Sequence, residues 1–423
     1  ELIFFCCFWG NCFPASVSKI NSRRWMMTIP VGSIARGEDF FDREHERRQL
    51  WSSLEGNHIV ISGPRRLGKS SVLERIKEEA VGKGFVAGVV DVEGIDNPQD
   101  FILEISRAFP EAGISGIVKK LGRKISSLPK LLPKVTVSPP DGVPIGFELQ
   151  SLPETPWREE AFALQNRLSD VPVIFLIDEF SVFLEKSLKR DREETERLIG
   201  WLRAWRQQSV ACRFIFSGSI GINSLLDRYR LATSFNDCFE LLLGPFKIDK
   251  AVMMLQKFAD RKGWVIAQDT QHYLCRRIGW LSPFYLNLTL LESIGAAQDR
   301  LEEAGDRKKE ILTDDIDDAF DRLITSRSRF IHWFRRLERD LPEPQLAYAM
   351  TILGTVAASE DGCTREQLMA RMNSLESNPD SRAIYLDEVL LVLEEDGYLA
   401  IGDARIDFPS FLLKSYWSRN HGR

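Results

Sequence analysis

The sequence lacks the features of a membrane protein, a zinc protein and a disulfide-bonded protein. No apolar run reaches the roughly 18 residues that a membrane span needs. No Cys-x-x-Cys pair occurs among the 7 cysteines, most of which lie far apart outside the first dozen residues. A zinc site or a disulfide framework is therefore not indicated, and this cysteine usage predicts a reducing, cytoplasmic compartment.

The sequence also has no excess of basic residues, and its histidines do not follow the spacing of a metal or catalytic site. Its formal net charge is -5, which argues against a protein that coats nucleic acid by bulk charge. The 5 histidines show neither ligand spacing nor pairing with a nucleophile. What is present, 44% apolar and 28% charged residues, is typical of a soluble globular protein. A length of 423 residues predicts two or three domains.

Residues 1–26 differ in character from the rest of the chain. They begin without methionine and run Leu-Ile-Phe-Phe-Cys-Cys-Phe-Trp from position 2. A signal peptide is one reading, but the positively charged segment that should precede the apolar one is missing. We favour a translated upstream sequence with the natural start at Met26 or Met27, and we treat residues 1–26 as a non-native or disordered leader.

Short apolar runs alternate with helical patterns in the first half of the chain. Buried strands that alternate with helices predict an α/β fold in which helices cover both faces of a parallel sheet. The five runs are residues 58–62, 85–92, 173–177, 213–217 and 239–243. The fold class that we predict is α/β, with a parallel sheet and helices on both faces, followed by a helical lid and a C-terminal winged-helix-like domain.

The predicted domains follow from where this alternation stops. Residues 27–245 form the α/β domain, and after Pro245 no further strand is expected until the C-terminal region. Residues 246–335 are predicted to be a helical lid. In residues 336–423, three helical patterns precede two short strands, which is the outline of a winged helix.

Residues 115–150 interrupt the α/β pattern with clustered Pro, Gly and Ser. Between Ile117 and Val137 the charged residues are all Lys or Arg. We interpret this segment as a solvated basic insertion. A contact for nucleic acid or for an acidic partner is the alternative.

A glycine-rich motif follows the first apolar run. Residues 63–71 read Gly63-Pro64-Arg65-Arg66-Leu67-Gly68-Lys69-Ser70-Ser71, which fits G-x-x-x-x-G-K-[ST]. Glycines let the backbone N–H groups point at phosphate oxygens, and the following helix presents its positive end to the same anion. The motif predicts that Lys69 reaches the β- and γ-phosphates and that Ser70 binds Mg²⁺.

Acids follow the third apolar run, at the edge of the sheet where the glycine loop should lie. Asp178 is predicted to hold Mg²⁺, and Glu179 to polarise the attacking water as general base. Ser217 or Ser219, after the next run, could sense the γ-phosphate. A charge-offsetting arginine is also expected, but the sequence does not choose among the candidates near the fourth run, Arg203, Arg206, Arg228 and Arg230. Arg65 and Arg66 in the loop are nearer to the phosphates, and contact with a partner is the alternative role for them.

These motifs together resemble the archaeal-type ATPases of the STAND/AAA-like class, which are ASCE P-loop NTPases. The resemblance extends to Phe40-Phe-Asp-Arg-Glu-His-Glu46 before the loop and to Pro283-Phe-Tyr285 in the lid. It implies that Phe41, Arg43 and Pro283 bind the nucleotide. The chain departs from the pattern at Leu281, where related proteins have glycine, and at Ser70, where threonine is commoner.

The function that we expect is an ATP-binding and ATP-hydrolysing molecular switch that uses Mg²⁺. Hydrolysis is expected to be slow or partner-stimulated, with coupling through the C-terminal domains to a protein partner or to a second copy. A scaffold that binds ATP with negligible turnover and a DNA-binding regulator are the alternatives. Nucleic acid is not favoured, because the expected recognition helix, residues 383–396, carries acids and neither Lys nor Arg.

Overall fold

A computed structural model describes residues 29–109, 156–218, 221–305 and 307–421. The predictions for the leader and for the basic insertion lie outside the described residues. The strands in chain order are β1 (His58–Ser62), β2 (Val86–Asp91), β3 (Val173–Asp178), β4 (Cys212–Ser217), β5 (Cys238–Leu242), β6 (Val265–Ile266), β7 (Glu310–Ile311), β8 (Ala400–Ile401) and β9 (Ile406–Asp407).

The described α-helices fall into three groups along the chain. Those that accompany the large sheet are α1 (Glu44–Leu54), α2 (Lys69–Ala80), α3 (Pro98–Arg107), α4 (Pro156–Leu168), α5 (Phe180–Arg190), α6 (Arg192–Gln208) and α7 (Ile222–Arg228). The next group is α8 (Ile248–Arg261), α9 (Gln268–Ile278), α10 (Pro283–Ala304), α11 (Thr313–Thr325) and α12 (Arg327–Asp340). The last group is α13 (Gln345–Ala358), α14 (Arg365–Arg371), α15 (Pro379–Glu395) and α16 (Phe411–His421).

The first five strands form one parallel sheet in the order β2-β3-β4-β1-β5. Alternate residues of β3 enter two different cores, because successive side chains of a strand point to opposite faces. Ile174 and Leu176 join the core that contains α2, whereas Phe175 and Ile177 join the core that contains α3 to α6. The sheet is therefore covered on both faces, and the predicted fold class is confirmed.

The predicted strands agree with the observed ones to within a residue at most ends, with two differences. The run at 239–243 was expected to be buried, but β5 is an edge strand and Leu242 is 71% exposed. The expectation that no strand follows Pro245 before the C-terminal region is wrong, because β6 and β7 pair in parallel between the lid helices. Strands of two residues carry no periodicity that a sequence pattern could detect.

The C-terminal region contains three helices, α13 to α15, followed by the antiparallel pair β8 and β9. These elements match the order predicted for a winged helix, and α16 then packs against α11 and α13. Because α11 belongs to the lid group, α16 joins the lid to the C-terminal region. The domain boundaries that we predicted remain predictions.

Aromatic side chains fill the junction between the lid and the C-terminal region. Tyr285 on α10 stacks on Trp333 of α12 at 6.4 Å, and Trp333 meets Tyr398 edge-on at 4.8 Å. The Tyr398 hydroxyl donates a hydrogen bond to the Trp333 carbonyl at 2.7 Å. Aromatic pairs of this kind contribute about 1 kcal/mol each beyond the area that they bury. The chain after α15 is thereby fixed against the start of α10.

His58, at the start of β1, is a buried structural histidine. Its Nδ1 accepts a hydrogen bond from the backbone N–H of Phe214 at 3.1 Å, so its Nε2 carries the proton and donates to the carbonyl of Arg206 at 3.0 Å. Burial lowers the pKa of His58 to about 4. The neutral ring therefore ties β1 to β4 and α6.

His58 predicts an acid-sensitive component of stability. Below pH 6.5 the unfolded chain binds a proton that the folded chain excludes, so the free energy of unfolding falls as pH falls. With the folded pKa at about 4, the loss approaches about 3 kcal/mol at pH 4. Urea denaturation across this range should show the slope in the wild type and in the control His272→Gln. An equal slope in His58→Gln would contradict the assignment.

Within the described part of the chain, no helix is both long and apolar enough to cross a membrane.

Candidate functional site

The glycine-rich motif forms the connection between β1 and α2. Gly63 has a φ of 133°, and a Cβ on it would overlap the carbonyl oxygen of Leu243, which follows β5. Gly68 has a φ of 88° and immediately precedes the first residue of α2. Glycine is required at Gly63 both by its backbone conformation and by the close approach of the neighbouring chain. The loop is thus held against the sheet with the amino end of α2 at its centre.

Lys69 is the first residue of α2, and its ammonium group is buried over the loop. Nζ donates hydrogen bonds to the carbonyls of Gly63 at 2.6 Å and Pro64 at 3.0 Å. Burial lowers the pKa of Lys69, and the negative charges of Glu179, Asp178 and Asp396 act in the opposite direction. The amine lies among groups that stabilise its positive charge.

Asp178 ends β3 at the same edge of the sheet, 7% exposed. Its Oδ1 accepts a short hydrogen bond from the hydroxyl of Ser217, the last residue of β4, and a second from the N–H of Glu179 at 3.1 Å. Because β4 lies between β1 and β3, the serine stands between the loop strand and the acid. Ser217 therefore fixes the carboxylate. Ser219, the other predicted sensor, lies outside the described residues.

Glu179 occupies the left-handed backbone region, with a φ of 55°, where it precedes α5. A non-glycine residue in this conformation costs on the order of 1 kcal/mol, and such residues cluster at functional sites. The turn aims the side chain at the loop, where Glu179 Oε2 lies 4.0 Å from an Arg65 guanidinium nitrogen. The sequence indicated the acid but not its strained backbone.

A cavity of about 340 Å³ lies between the loop, the segment before α1 and the start of α10. Most of the predicted nucleotide-binding residues line it, namely Phe41, Arg43, Arg65, Arg66, Leu67, Gly68, Lys69, Ser70, Ser71 and Pro283, together with Glu179. Gly63, Pro64 and Asp178 are not among the described lining residues, but the carbonyls of Gly63 and Pro64 accept hydrogen bonds from Lys69. The polar lining residues come mainly from the loop.

The cavity also has lining residues that the sequence did not predict, and most of them are apolar. They include Pro30, Phe246, Met254, Phe284 and Asn287. Phe41 meets Phe246 edge-on at 6.0 Å. These side chains come from segments more than 200 positions apart, so no local motif could have indicated them.

Arg43 contacts both the loop and Phe246. It is 3% exposed, its guanidinium stacks 4.4 Å from the Phe246 ring centroid, and it donates to the carbonyl of Leu67 at 3.1 Å and to Glu46 at 2.9 Å. Through these contacts Arg43 stabilises the loop, and it also lines the cavity. Burial lowers its pKa, and the Glu46 carboxylate opposes that shift.

The charges that line the cavity suit an anionic ligand. The cationic lining residues are Arg43, Arg65, Arg66 and Lys69, and the anionic ones are Asp39 and Glu179. The positive end of α2 adds to this excess of positive charge. The hydroxyl of Ser70, which lines the cavity, and the carboxylate of Asp178, at the end of β3, are oxygen ligands of the kind that Mg²⁺ prefers. The residues present therefore fit a nucleotide phosphate chain with a divalent cation.

Other predicted candidates lie elsewhere. Among the arginines near the fourth strand, Arg206 is buried in an ion pair with Asp237 at 2.8 Å, which gives it a structural role. Arg228 lies 3.6 Å from Glu185, and Arg203 contacts Asn236 at 3.5 Å. Among the described residues, Arg43, Arg65 and Arg66 are instead the arginines that line the cavity.

The fold is similar to that of the Walker-type ATPase of Pyrococcus abyssi. The two share 19% sequence identity with a TM-score of 0.60, over 92% of this chain and 99% of that chain. Together with the strand order and the loop, this similarity defines the class: the chain has the P-loop NTPase fold. No protein-family model matches the sequence, and no curated protein matches it.

More distant solved structures give lower similarity. The RuvB Holliday junction branch migration motor of Thermotoga maritima has 14% identity and a TM-score of 0.42, over 88% of this chain and 94% of that chain. The ORC2 protein of Aeropyrum pernix has 12% identity and a TM-score of 0.42, over 92% and 98%. At these TM-scores the similarity carries no argument about this chain.

The position of Lys69 predicts the effect of its removal. Lys69→Ala should lower the affinity for ATP at least tenfold, because a charge-assisted contact to phosphate is lost, worth roughly 2 kcal/mol. Isothermal titration with ATP and Mg²⁺ measures the effect. Lys77→Ala is the matched control, since Lys77 lies on the same helix and its side chain is 46% exposed. Equal affinities in wild type and Lys69→Ala would contradict the assigned role.

Proposed function

We propose that this protein binds ATP with Mg²⁺ and hydrolyses it, and that the state of the nucleotide is transmitted to the C-terminal region. The observation that carries the proposal is the convergence of the glycine loop, Asp178 and Glu179 at one edge of the parallel sheet. The archaeal-type ATPases of the STAND/AAA-like class are the group that the sequence resembles. The proposal includes membership of that class.

In this proposal Lys69 leaves the loop carbonyls and binds oxygens of the β- and γ-phosphates, together with the N–H groups of the loop. Ser70 and Asp178 hold Mg²⁺, which would neutralise charge on the phosphates. Both hydrogen bonds that Asp178 makes with the described residues end on Oδ1, so Oδ2 is the oxygen that we propose for the cation. Ser217 keeps that carboxylate in place.

Glu179 is proposed to accept the proton of the attacking water. Its backbone turn directs the carboxylate to the loop side of the sheet edge, and a general base contributes about 100-fold or more to the rate of such a reaction. Arg65 lies 4.0 Å from Glu179 and is the arginine best placed to offset charge that develops on the γ-phosphate. Turnover is proposed to be slow or stimulated by a partner, which would be another protein or a second copy.

Glu179 offers a direct test of hydrolysis. Glu179→Gln should lower the rate of phosphate release at least about 100-fold while ATP affinity stays within about threefold, since the amide keeps the size of the side chain but cannot take a proton. Phosphate release and ATP titration on the same preparation separate the two quantities.

Glu193→Gln is the matched control for charge, because Glu193 is 76% exposed on α6. A scaffold that binds ATP without turnover would show no difference between wild type and Glu179→Gln in phosphate release, and that result would remove the hydrolytic part of the proposal.

A contact between the loop and the C-terminal region supports the coupling. Asp396, which follows α15 and is 3% exposed, lies 3.5 Å from Nε of Arg65. A Cβ on the next residue, Gly397, would lie 3.0 Å from Pro64 and 2.9 Å from Trp280, and Gly397 has a φ of 79°. The turn after α15 is therefore packed directly on the phosphate-binding loop.

The same contact gives the coupling a physical basis. Asp396 and Glu179 both lie near Arg65. The charge of Asp396 also stabilises the protonated form of Lys69, because it opposes the lowering of the pKa of Lys69 by burial. A γ-phosphate would add negative charge beside these cations and compete with Asp396 for them. Loss of that phosphate would restore the contact, so the position of the turn after α15 would follow the nucleotide state.

This contact also bears on the alternative in which the C-terminal region binds DNA. Sequence reasoning placed Asp396 on the surface of a recognition helix, whereas the structure buries it beside Arg65. The exposed side chains of α15 include Asp387 and Glu388, whose charge repels phosphate. We therefore propose that the region docks on the nucleotide site and not on nucleic acid.

Asp396→Asn tests the coupling. Removal of one negative charge beside Arg65 and Lys69 should raise ATP affinity roughly fivefold, which corresponds to about 1 kcal/mol for a pair near the surface. Amide hydrogen exchange in residues 396–401 should rise in the variant without nucleotide, as the turn loses its partner. Glu388→Gln, on the exposed side of α15, should change neither quantity. Unchanged affinity and exchange in Asp396→Asn would contradict the coupling.

A further inference from the structure

Asn287 is a buried amide on α10 that lines the cavity. It lies one helical turn after Pro283 and is 3% exposed. Its Nδ2 donates a hydrogen bond to the carbonyl of Pro30 at 2.8 Å. Because that carbonyl needs a donor, the bond fixes which end of the amide is nitrogen and which is oxygen.

The other end of the amide has no partner. Asn287 Oδ1 is buried and receives no hydrogen bond from any of the described residues. A buried acceptor left in this state is costly, and most buried polar groups in folded proteins are satisfied. Tyr285 and Thr289, on the same helix, also have unbonded buried oxygens, but neither residue lines the cavity. Asn287 is therefore the acceptor of α10 that a ligand can satisfy.

The surroundings of Asn287 indicate which part of a ligand reaches it. The lining residues next to it, Pro30, Pro283 and Phe284, are apolar, and the Arg66 guanidinium stacks 4.2 Å from the Phe284 ring centroid. Apolar and aromatic side chains with a planar cation suit a flat aromatic base, whereas phosphates belong at the amino end of α2. An unsatisfied acceptor in these surroundings is matched by a hydrogen-bond donor on the edge of the base.

We infer that Asn287 selects adenine by accepting a hydrogen bond from its exocyclic amino group. This inference rests on the proposed function, because it concerns the base of the nucleotide whose phosphates the loop binds. Guanine carries an acceptor where adenine carries the amino group, and two acceptors placed together leave both unsatisfied. The bond to Pro30 prevents the amide from turning over to offer its N–H instead. Asn287 is thus a specificity-determining residue.

The full chain provides the test without any substitution. Wild-type protein with Mg²⁺ is titrated with ATP and with purine riboside triphosphate, in which hydrogen replaces the amino group. We expect ATP to bind roughly tenfold more tightly, because the analogue leaves Oδ1 unsatisfied. Equal affinities for the two nucleotides would overturn the inference while leaving the proposed function intact. Failure of every nucleoside triphosphate to bind would remove both.

Two variants show whether Asn287 causes the difference. Asn287→Leu should bind ATP and the analogue equally, whereas Thr289→Val, a buried change on the same helix, should keep the tenfold preference. A general disturbance of α10 would instead lower both affinities by the same factor and leave their ratio unchanged, which would overturn the inference.

The ribose hydroxyls are also hydrogen-bond donors. Titration with 2′-deoxy-ATP shows whether Asn287 accepts from the 2′-hydroxyl or from the base. If Asn287 accepts from the base, wild type and Asn287→Leu should lose the same factor when the 2′-hydroxyl is removed. Two results together would assign the contact to the sugar and overturn the assignment to adenine. Wild type would bind ATP and purine riboside triphosphate equally, and the preference for a 2′-hydroxyl would disappear in Asn287→Leu.

Discussion

The buried ammonium of Lys69 is the charge around which the rest of the site is arranged. It donates hydrogen bonds to the carbonyls of Gly63 and Pro64, and three carboxylates from two separate parts of the chain oppose the lowering of its pKa by burial. Two of them, Asp178 and Glu179, come from the strand that ends beside the loop. The third, Asp396, comes from the C-terminal region. The loop, the sheet edge and the turn after α15 are therefore coupled electrostatically, because acids from distant segments surround one buried cation.

The order of the strands explains why these groups meet. Parallel strands end at the same edge, so β1, β3 and β4 deliver the loop, the acids and Ser217 to one place. The position of β4 between the other two puts a hydroxyl between the loop strand and Asp178. The lid then closes the cavity with apolar side chains and Asn287, while the aromatic contacts of Tyr285 hold its first turn against the C-terminal region. In the proposed function, α10 would thus contact the base of the nucleotide through Asn287 and the C-terminal region through Tyr285.

The identities of the phosphate-binding residues could be predicted because their spacing is dictated by local geometry. Gly63 and Gly68 stand where the backbone takes positive φ, and Lys69 follows at the amino end of a helix whose apolar face is visible in the sequence. Asp178 and Glu179 follow a short apolar run, whose length predicts a buried strand. By contrast, Phe246, Met254 and Asn287 look like ordinary core residues, since they belong to amphipathic helices or to the turn before them. The edge position of β5 and the pairing of β6 with β7 were likewise invisible, because strand partners are set by contacts between distant segments.

By itself the sequence determined the α/β architecture, the phosphate-binding loop and the acids opposite it, since each depends on neighbours within about ten residues of chain. The tertiary structure alone decided that Asp396 lies against Arg65 and that Asn287 faces the cavity with one half of its amide satisfied. Sequence reasoning had counted Asp396 among the acids of an exposed helix. Asp396 is instead buried, because the turn after α15 packs on the loop. The sequence does not record which surface the end of a helix contacts.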